Sequence, residues 1–523
     1  MSRTERALDR VLHFLDAFAN RFWGWRWNPL YQSGTIAAAM LLVLLISGVY
    51  LLLFYRVGSP SASVAELAAD PWLGSWIRSL HRYATDIFVL AAVLHAARMF
   101  AQSRSWGRRT LAWISGLSLL GVGIASAWTG FVMAWDSFGE RLALDGVRLF
   151  DALPIFSEPL SRIFAGDPPV PSAFFFVTTF LHIALPLTMG AGLWIHVSRV
   201  ARPVLLPPRR MLWALVGALV LLSVAVPAAL GDAADPFRLP TSTPTSLIFA
   251  WWLPLSERVA PAVTWTVFGL LVLGGLLVPR ITRRPREGAL APSVVDPALC
   301  TGCNQCPQDC PWEAITMVAR TDDRPTLVAL VDPAKCVSCG ICAASCAPMG
   351  VGPPGRTGRN QLAVVRSAVL PALSASADAP IVAVVCSRTA ASHVEALRAR
   401  GAYIHTVACA GNLHTSVIEV ALRGGAPGVI VYGCPPRDCA GREGPKWLHE
   451  RVYNDREAEL QERVDRRRVR IATAAPGDLR EVLASFDAFA SDLARLAQPS
   501  RAVGEEVVLE CESLSTTTGG DVA

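Results

Sequence analysis

The chain has 523 residues, 52% of them hydrophobic and 17% charged, with 48 Lys+Arg against 42 Asp+Glu. A net charge of +6 would suit a nucleic acid, but the arginines gather at the ends of long apolar runs, so a lipid bilayer is the better partner and nucleic acid is set aside. All 13 cysteines fall between Cys300 and Cys511, so an apolar half is joined to a cysteine-rich half, and the length suits about three domains.

Residues 1–32 are charged, aromatic and amphipathic, with Leu8, Leu12, Leu15, Phe18 and Phe22 at helical spacing and no small-residue cleavage site. They read as an interfacial helix with Trp23, Trp25 and Trp27 at headgroup level, not as a signal peptide. Residues 33–285 hold six apolar runs, roughly 33–55, 79–101, 111–133, 174–198, 211–230 and 262–280, each long enough to cross a bilayer or nearly so. If all six cross, 17 arginines flank one side and seven the other, which puts both termini in the cytoplasm of a cell-membrane protein.

His81 and His95 stand fourteen apart in the second run, and His182 and His196 repeat the spacing in the fourth. Fourteen residues make almost four turns, so each pair leaves one helix face, roughly 21 Å apart along the axis. A single intramembrane histidine is more often a hydrogen-bonded core residue. Four at one repeated spacing point instead to two stacked bis-histidine haem sites, because polar groups in lipid are costly and kept for function. Gly34/Gly48 and Gly116/Gly130 repeat the interval in the first and third runs, where a missing Cβ lets a flat macrocycle approach the backbone.

These residues resemble cytochrome b of the bc-type quinol oxidoreductases, over about residues 20–280: Gly34/Gly48, His81-Arg82…His95-x-x-Arg98, Gly116…Thr129-Gly130…Trp135-Asp136, then His182…His196. The resemblance implies b-haem pairs His81/His182 (outer) and His95/His196 (inner), Arg82 and Arg98 as propionate partners, a quinone and a homodimer. Snorkelling to the interface is the other reading of each arginine. Where the family carries Pro-Glu-Trp-Tyr at its outer quinol site, this chain reads Pro244-Thr245-Ser246-Leu247, and neither Thr nor Ser can replace the Glu as a base near neutral pH. The family's Pro-Trp is also altered, to Ala134-Trp135. The outer site is therefore read as lost or rebuilt. For an inner quinone site the candidates are Arg199 and Arg202, with the N-terminal helix as a lid. Asp86 is either a proton-linked group or a hydrogen-bonding residue near the outer interface.

After a basic linker, residues 286–350 carry Cys300-x2-Cys303-x2-Cys306-x3-Cys310-Pro311 and Cys336-x2-Cys339-x2-Cys342-x3-Cys346. This is the bacterial ferredoxin run, in which the fourth cysteine of each run serves the other cluster. Cys300, Cys303, Cys306 and Cys346 should hold one [4Fe–4S], and Cys336, Cys339, Cys342 and Cys310 the second. Zinc does not use this triple spacing twice.

Residues 351–379 read as a linker, and 380–496 as a small α/β domain whose strands (381–385, 403–407, 428–432) end near Cys386, Cys409, Cys434 and Cys439. Strand ends are where open α/β sheets place ligands, and four thiols there suit a [2Fe–2S] or a zinc. Cys386, Ala408-Cys409-Ala-Gly and Gly433-Cys434-Pro-Pro-Arg-Asp-Cys439 resemble the delta subunit of methyl-viologen-reducing hydrogenases, with a cluster near Cys386 thinned to one Cys. That resemblance implies a [2Fe–2S] cluster and electron exchange with a heterodisulfide-reductase-type flavoprotein. His393, His405, His414 and His449 lack ligand spacing. Residues 452–468 read as a charged helix, and 497–523 as a disordered tail.

The expected fold is a multidomain chain: an all-α bundle of six transmembrane helices, a 2[4Fe–4S] ferredoxin-type α+β domain and a small α/β domain. The expected role is an electron-transfer subunit of a quinone-linked oxidoreductase, linking a soluble cytoplasmic redox partner to the quinone pool. The alternatives are a quinol-bifurcating cytochrome b and a non-catalytic docking platform. No nucleotide or flavin motif marks a substrate dehydrogenase in the chain, and the direction of flow is open.

Overall fold

A computed structural model describes residues 3–106, 109–155, 157–164, 170–198, 200–235, 248–282 and 291–497. Arg199, Pro244–Leu247 and the tail after 497 lie outside these residues.

Helix α1 (Arg3–Trp27) bends at Gly24, whose φ of 69° is open only to a residue without a side chain. Its two faces have exchanged their usual environments. Glu5, Asp16 and Asn20 are buried, while Phe14, Phe18 and Phe22 are exposed, so the apolar stripe is left for lipid. Four long helices form the core of the bundle: α2 (Ser33–Phe54), α4 (Gly74–Ala101), α5 (Thr110–Ala134) and α7 (Ser172–Ser198), with short α3 (Pro60–Ala69) before α4. Helix α2 packs along α4 and α5 along α7. Met40, Ala84, Phe88, Ala127 and Met189 fill the middle, while Leu, Val and Phe side chains point outward, as a bilayer demands.

Among the described residues, five helices are long and apolar enough to span: α2 with its leading turn, α4, α5, α7 and α10 (Pro261–Ile281). The expected run 211–230 is instead the shorter helix α8 (Arg209–Ala225), followed by extended chain. That chain is held by α4: Tyr83 Oη donates to Val226 O (2.8 Å), Arg78 to Ala228 O, and Ala228 N to Ser79 Oγ (2.8 Å). At the same end, amphipathic α6 (Ser137–Asp151) is capped by Asp136, whose other oxygen accepts from Gly231 N (2.9 Å). A four-residue helix, α9 (Leu253–Ser256), precedes α10.

The dicluster-type domain is built from β1 (Val294–Val295), α11 (Gln305–Asp309), β2 (Ile315–Val318), β3 (Val328–Val331), α12 (Ile341–Ala344) and β4 (Val351–Gly352). Strand β1 pairs antiparallel with β4, and β2 with β3. The two halves repeat their turns: Gly302 and Ser338 before the second cysteine, and Asn304 and Gly340 after it, all have positive φ. This left-handed backbone lets each loop curl its three thiols toward one point.

The C-terminal domain is a four-stranded parallel sheet in the order β6 (Tyr403–Val407), β5 (Val382–Cys386), β7 (Val429–Gly433), β8 (Val469–Thr473). Central β5 and β7 are buried throughout, as sheets covered on both faces require. Phe486, Phe489 and Leu493 of α18 (Leu479–Ala497) cover one face with Leu397 of α15 (Ala391–Ala399). The other face carries α16 (Thr415–Arg423) and α17 (Gly444–Tyr453).

Two expectations need correction here. The presumed linker contains α13 (Gly358–Val364), a π turn (Val365–Val369) and α14 (Leu370–Ser374), because Leu362, Val365, Val369 and Leu373 recur at helical spacing and pack into the α/β core. The presumed charged helix 452–468 is irregular after Tyr453. Ala458, Leu460 and Val464 anchor it to the core at a spacing that no helix face would give.

Candidate functional site: an imidazole ladder beneath three four-thiol groups

The rings of His81 and His182 face each other across the bundle with centroids 6.3 Å apart. An imidazole nitrogen binds a metal ion at about 2 Å, so two such bonds plus the half-widths of two rings span about 6 Å. The separation therefore fits one iron between the rings. The glycines supply the remaining space, against the imidazoles themselves. A Cβ built at Gly130 would lie 2.8 Å from Cε1 of His182, at Gly48 3.4 Å from Cε1 of His81, at Gly34 2.7 Å from Nδ1 of His95 and at Gly116 3.1 Å from Cε1 of His196. Among the described residues, the imidazole rings are the nearest neighbours of these glycines.

A feature that the sequence reading missed sets the ring nitrogens. Each glycine follows a hydroxyl residue: Ser33, Ser47, Ser115 and Thr129. The Ser47 hydroxyl donates to Val43 O (2.7 Å) and so turns a lone pair to His81 Nδ1 (2.9 Å). Ser115, which donates to Ala112 O, faces His196 Nδ1 at 3.0 Å. His182 Nδ1 lies 2.9 Å from Ser126 O and 3.1 Å from Thr129 Oγ1. A nitrogen beside a carbonyl must carry the proton, so Nδ1 donates and Nε2 keeps its lone pair for iron. The repeated [Ser/Thr]-Gly dipeptide at the histidine interval was the available signal.

Arg82 pairs with Asp86 (2.7 Å) and lies over the Phe131 ring (4.6 Å), which gives Asp86 a structural partner. Arg98 forks onto both oxygens of Asp16 (2.8 Å each) and reaches Asp438 (3.1 Å) from a buried position. Its guanidinium thus ties α4 to α1 and to the C-terminal domain. Arg202, at a positive φ of 46°, pairs with Glu443 (3.1 Å) and donates to Gln308 O. It joins three domains. Of the two arginines expected at an inner quinone site, it is the one within the described residues.

The two predicted cubane ligand sets come together as two cavities. One is lined by Cys300, Cys303, Cys306 and Cys346, the other by Cys310, Cys336, Cys339 and Cys342. Backbone N–H groups of Gly350, Ala314 and Ser293 point at Cys346, Cys310 and Cys336 sulfurs at 3.3 to 3.4 Å, as thiolate ligands favour. Cys386, Cys409, Cys434 and Cys439 form a third, buried group beyond the carboxyl ends of β5, β6 and β7. Gly444 makes room for it, since a Cβ there would lie 2.8 Å from Cys409 Sγ.

All three groups sit at the His95/His196 end of the bundle. Arg104, just past α4, donates to Cys439 O (3.2 Å) and Ala440 O (3.3 Å). Arg109 lies over Trp312 (4.3 Å), and Arg442 over the same ring (5.2 Å). Burial, aggravated by these neighbouring cations, pushes Arg104 down to about 10 and Arg109 to about 9. Helix α1 closes the junction: Asn20 donates to Pro476 O (2.8 Å), and Arg388 reaches His13 Nε2 (3.4 Å). Between the soluble domains, Asn412 donates to Gly340 O (2.9 Å), and buried Arg451 joins Ser345 Oγ (3.2 Å) to Gly411 O (2.8 Å).

Three family models match successive segments: Cytochrome b/b6/petB over residues 24–228, the 4Fe-4S dicluster domain over 299–350, and the delta subunit of methyl-viologen-reducing hydrogenase over 367–497. The chain thus matches a cytochrome b model, a dicluster model and a delta-subunit model in that order. A solved structure entitled "Hyperthermophilic respiratory Complex III" aligns at 19% identity and a TM-score of 0.38, over 48% of this chain and 75% of that one. A cytochrome b segment implies haem and a dicluster segment implies iron–sulfur clusters. The facing imidazoles and four-thiol cavities fit both.

Proposed function

We propose that the protein is a membrane-bound electron-transfer subunit carrying electrons between a soluble iron–sulfur or flavoprotein partner and the quinone pool. The observation that carries this reading is the facing imidazole pair His81/His182, Nδ1 protons engaged, in the same chain as two four-thiol cavities. His81/His182 and His95/His196 would each hold one b-type haem. The eight cysteines 300–346 would hold two [4Fe–4S] clusters, and Cys386, Cys409, Cys434 and Cys439 a [2Fe–2S]. These groups supply one-electron chemistry when bound. The chain's residues engage the Nδ1 atoms of His81, His182 and His196 and fix the spacing. The arginine distribution supports a bacterial cell-membrane location with the thiol domains in the cytoplasm.

Quinone would exchange electrons at the cytoplasmic end, near the inner imidazole pair. The test is quinol addition to the oxidised purified protein, following b-haem absorbance with and without an inhibitor of the inner quinone site. Complete inhibition supports one cytoplasm-side site. Reduction through a second, outer site would favour a quinol-bifurcating cytochrome b.

A further inference from the structure

The structure also bears on the order in which electrons travel. We infer that the four-thiol group of the C-terminal domain, and not the dicluster pair, exchanges electrons directly with the inner haem site, with Arg104 as the bridge. This inference rests on the function proposed above.

Three observations carry it. First, the Asp438–Ala440 stretch lies on the helix that bears His95. Asp438 accepts from Arg98 (3.1 Å), one turn beyond His95, and from Gln102 (3.3 Å), while Cys439 O and Ala440 O accept from Arg104. Second, one glycine separates this group from a dicluster thiol. A Cβ on Gly441 would lie 3.2 Å from Cys409 Sγ and 3.7 Å from Cys339 Cβ. Third, the dicluster domain meets the bundle outside its helices, whereas Asp438 is held by Arg98 within α4. The dicluster residues Gln308 and Trp312, on either side of Cys310, meet Arg202 and Arg109, and Arg202 lies six residues past His196, beyond the end of α7. Chain order would put the dicluster domain next to the membrane; folding puts the C-terminal thiols there.

The step is a one-electron transfer. Cys386, Cys409, Cys434 and Cys439 would hold the donor and His95 with His196 the acceptor; one electron would pass from donor to acceptor, oxidising the first and reducing the second by one unit. No bond is made or broken. The electron is replaced through the Cys339 side of the dicluster domain, itself reduced by a low-potential soluble carrier, a reduced flavin or iron–sulfur protein. Arg104 places a positive charge beside Cys439, which favours the reduced, more negative state of that centre.

The test uses the full-length protein in nanodiscs, with Cys439→Ser and Arg104→Met variants and a reduced low-potential iron–sulfur protein, too bulky to enter the bundle, as the soluble-side reductant. In Cys439→Ser, the cubane electron paramagnetic resonance signals should stay while the third signal is lost or altered. Haem should then no longer be reduced through the clusters, although quinol still reduces it. Arg104→Met keeps every thiol, so it reports even if Cys439→Ser fails to assemble. Its third-centre midpoint potential should fall with both cubane potentials unchanged, and haem reduction should slow about tenfold for each ~59 mV of that fall, because fewer third centres are reduced at any moment. Haem reduction at the wild-type rate in Cys439→Ser, or no potential shift in Arg104→Met, would overturn the inference. If wild-type clusters reduce and its haems do not, the proposed function fails instead.

Discussion

Arg98 lies one helical turn beyond His95 and donates to Asp438, the residue before Cys439, at 3.1 Å. One guanidinium thus ties the helix bearing an intramembrane imidazole to a cysteine-bearing loop 340 residues further along the chain. With Asp16 it forms a buried triad of one cation and two carboxylates.

The triad has an asymmetry. Removing Asp438 leaves Arg98 still forked onto Asp16, whereas removing Arg98 leaves two carboxylates buried side by side. Breaking a buried pair costs about 3–5 kcal/mol. Arg98→Ala should therefore destabilise the junction more than Asp438→Asn, and expose the C-terminal domain to limited proteolysis sooner. Equal protection in the two variants would contradict this ranking.

The glycines should differ in their tolerance of alanine. An added methyl overlaps the imidazole at Gly34 and Gly130 but only touches it at Gly48, 3.4 Å away. Overpacking costs about 1–3 kcal/mol. Gly34→Ala and Gly130→Ala should lose haem, measured as haem per chain by pyridine haemochrome, while Gly48→Ala retains most of it.

Ser47 offers a subtler probe. Its oxygen accepts the His81 Nδ1 proton, which makes the imidazole a better donor to ferric iron. Ser47→Ala should raise the midpoint potential of the outer haem and leave the inner one unmoved. Removing such a partner typically weakens binding about 10–100-fold. A redox titration of the two b-type absorbance steps reads both.

His393 gives the soluble half a pH dependence. Burial in α15 pushes its imidazole below the ordinary 6.5, partly offset by the nearby Asp478. The folded domain therefore holds His393 neutral. The sign follows from linkage: this contribution is fully present above pH 6.5 and is lost as pH falls through the lower folded value. Thermal unfolding of the intact protein should show stability dropping as pH falls below 6.5, with the drop reduced in His393→Gln.

Sequence patterns with a fixed period were legible. Histidines fourteen apart must share a helix face, and the C-x2-C-x2-C-x3-C runs come together as two cavities with the crossed cysteines Cys346 and Cys310 as expected. The cysteines at the ends of β5, β6 and β7 were legible from strand alternation alone. Relations between distant segments were not. Nothing near Arg98 says that Asp16 and Asp438 will claim it, and nothing near Arg202 announces Glu443 and Gln308. The Gly, Pro, Ser and Ala content of residues 351–379 hid the four apolar positions that make 358–374 helical. Composition averages over a face; packing selects it.

The central claim is that the thiol-bearing half and the haem-bearing half conduct as one. The most direct measurement is anaerobic rapid mixing of the oxidised, quinone-free protein with a low-potential donor too bulky to enter the bundle. Iron–sulfur bleaching and b-haem absorbance are followed together. The account predicts that bleaching comes first and haem reduction follows within the same turnover, without added quinone. Clusters that reduce fully while the haem stays ferric would contradict it.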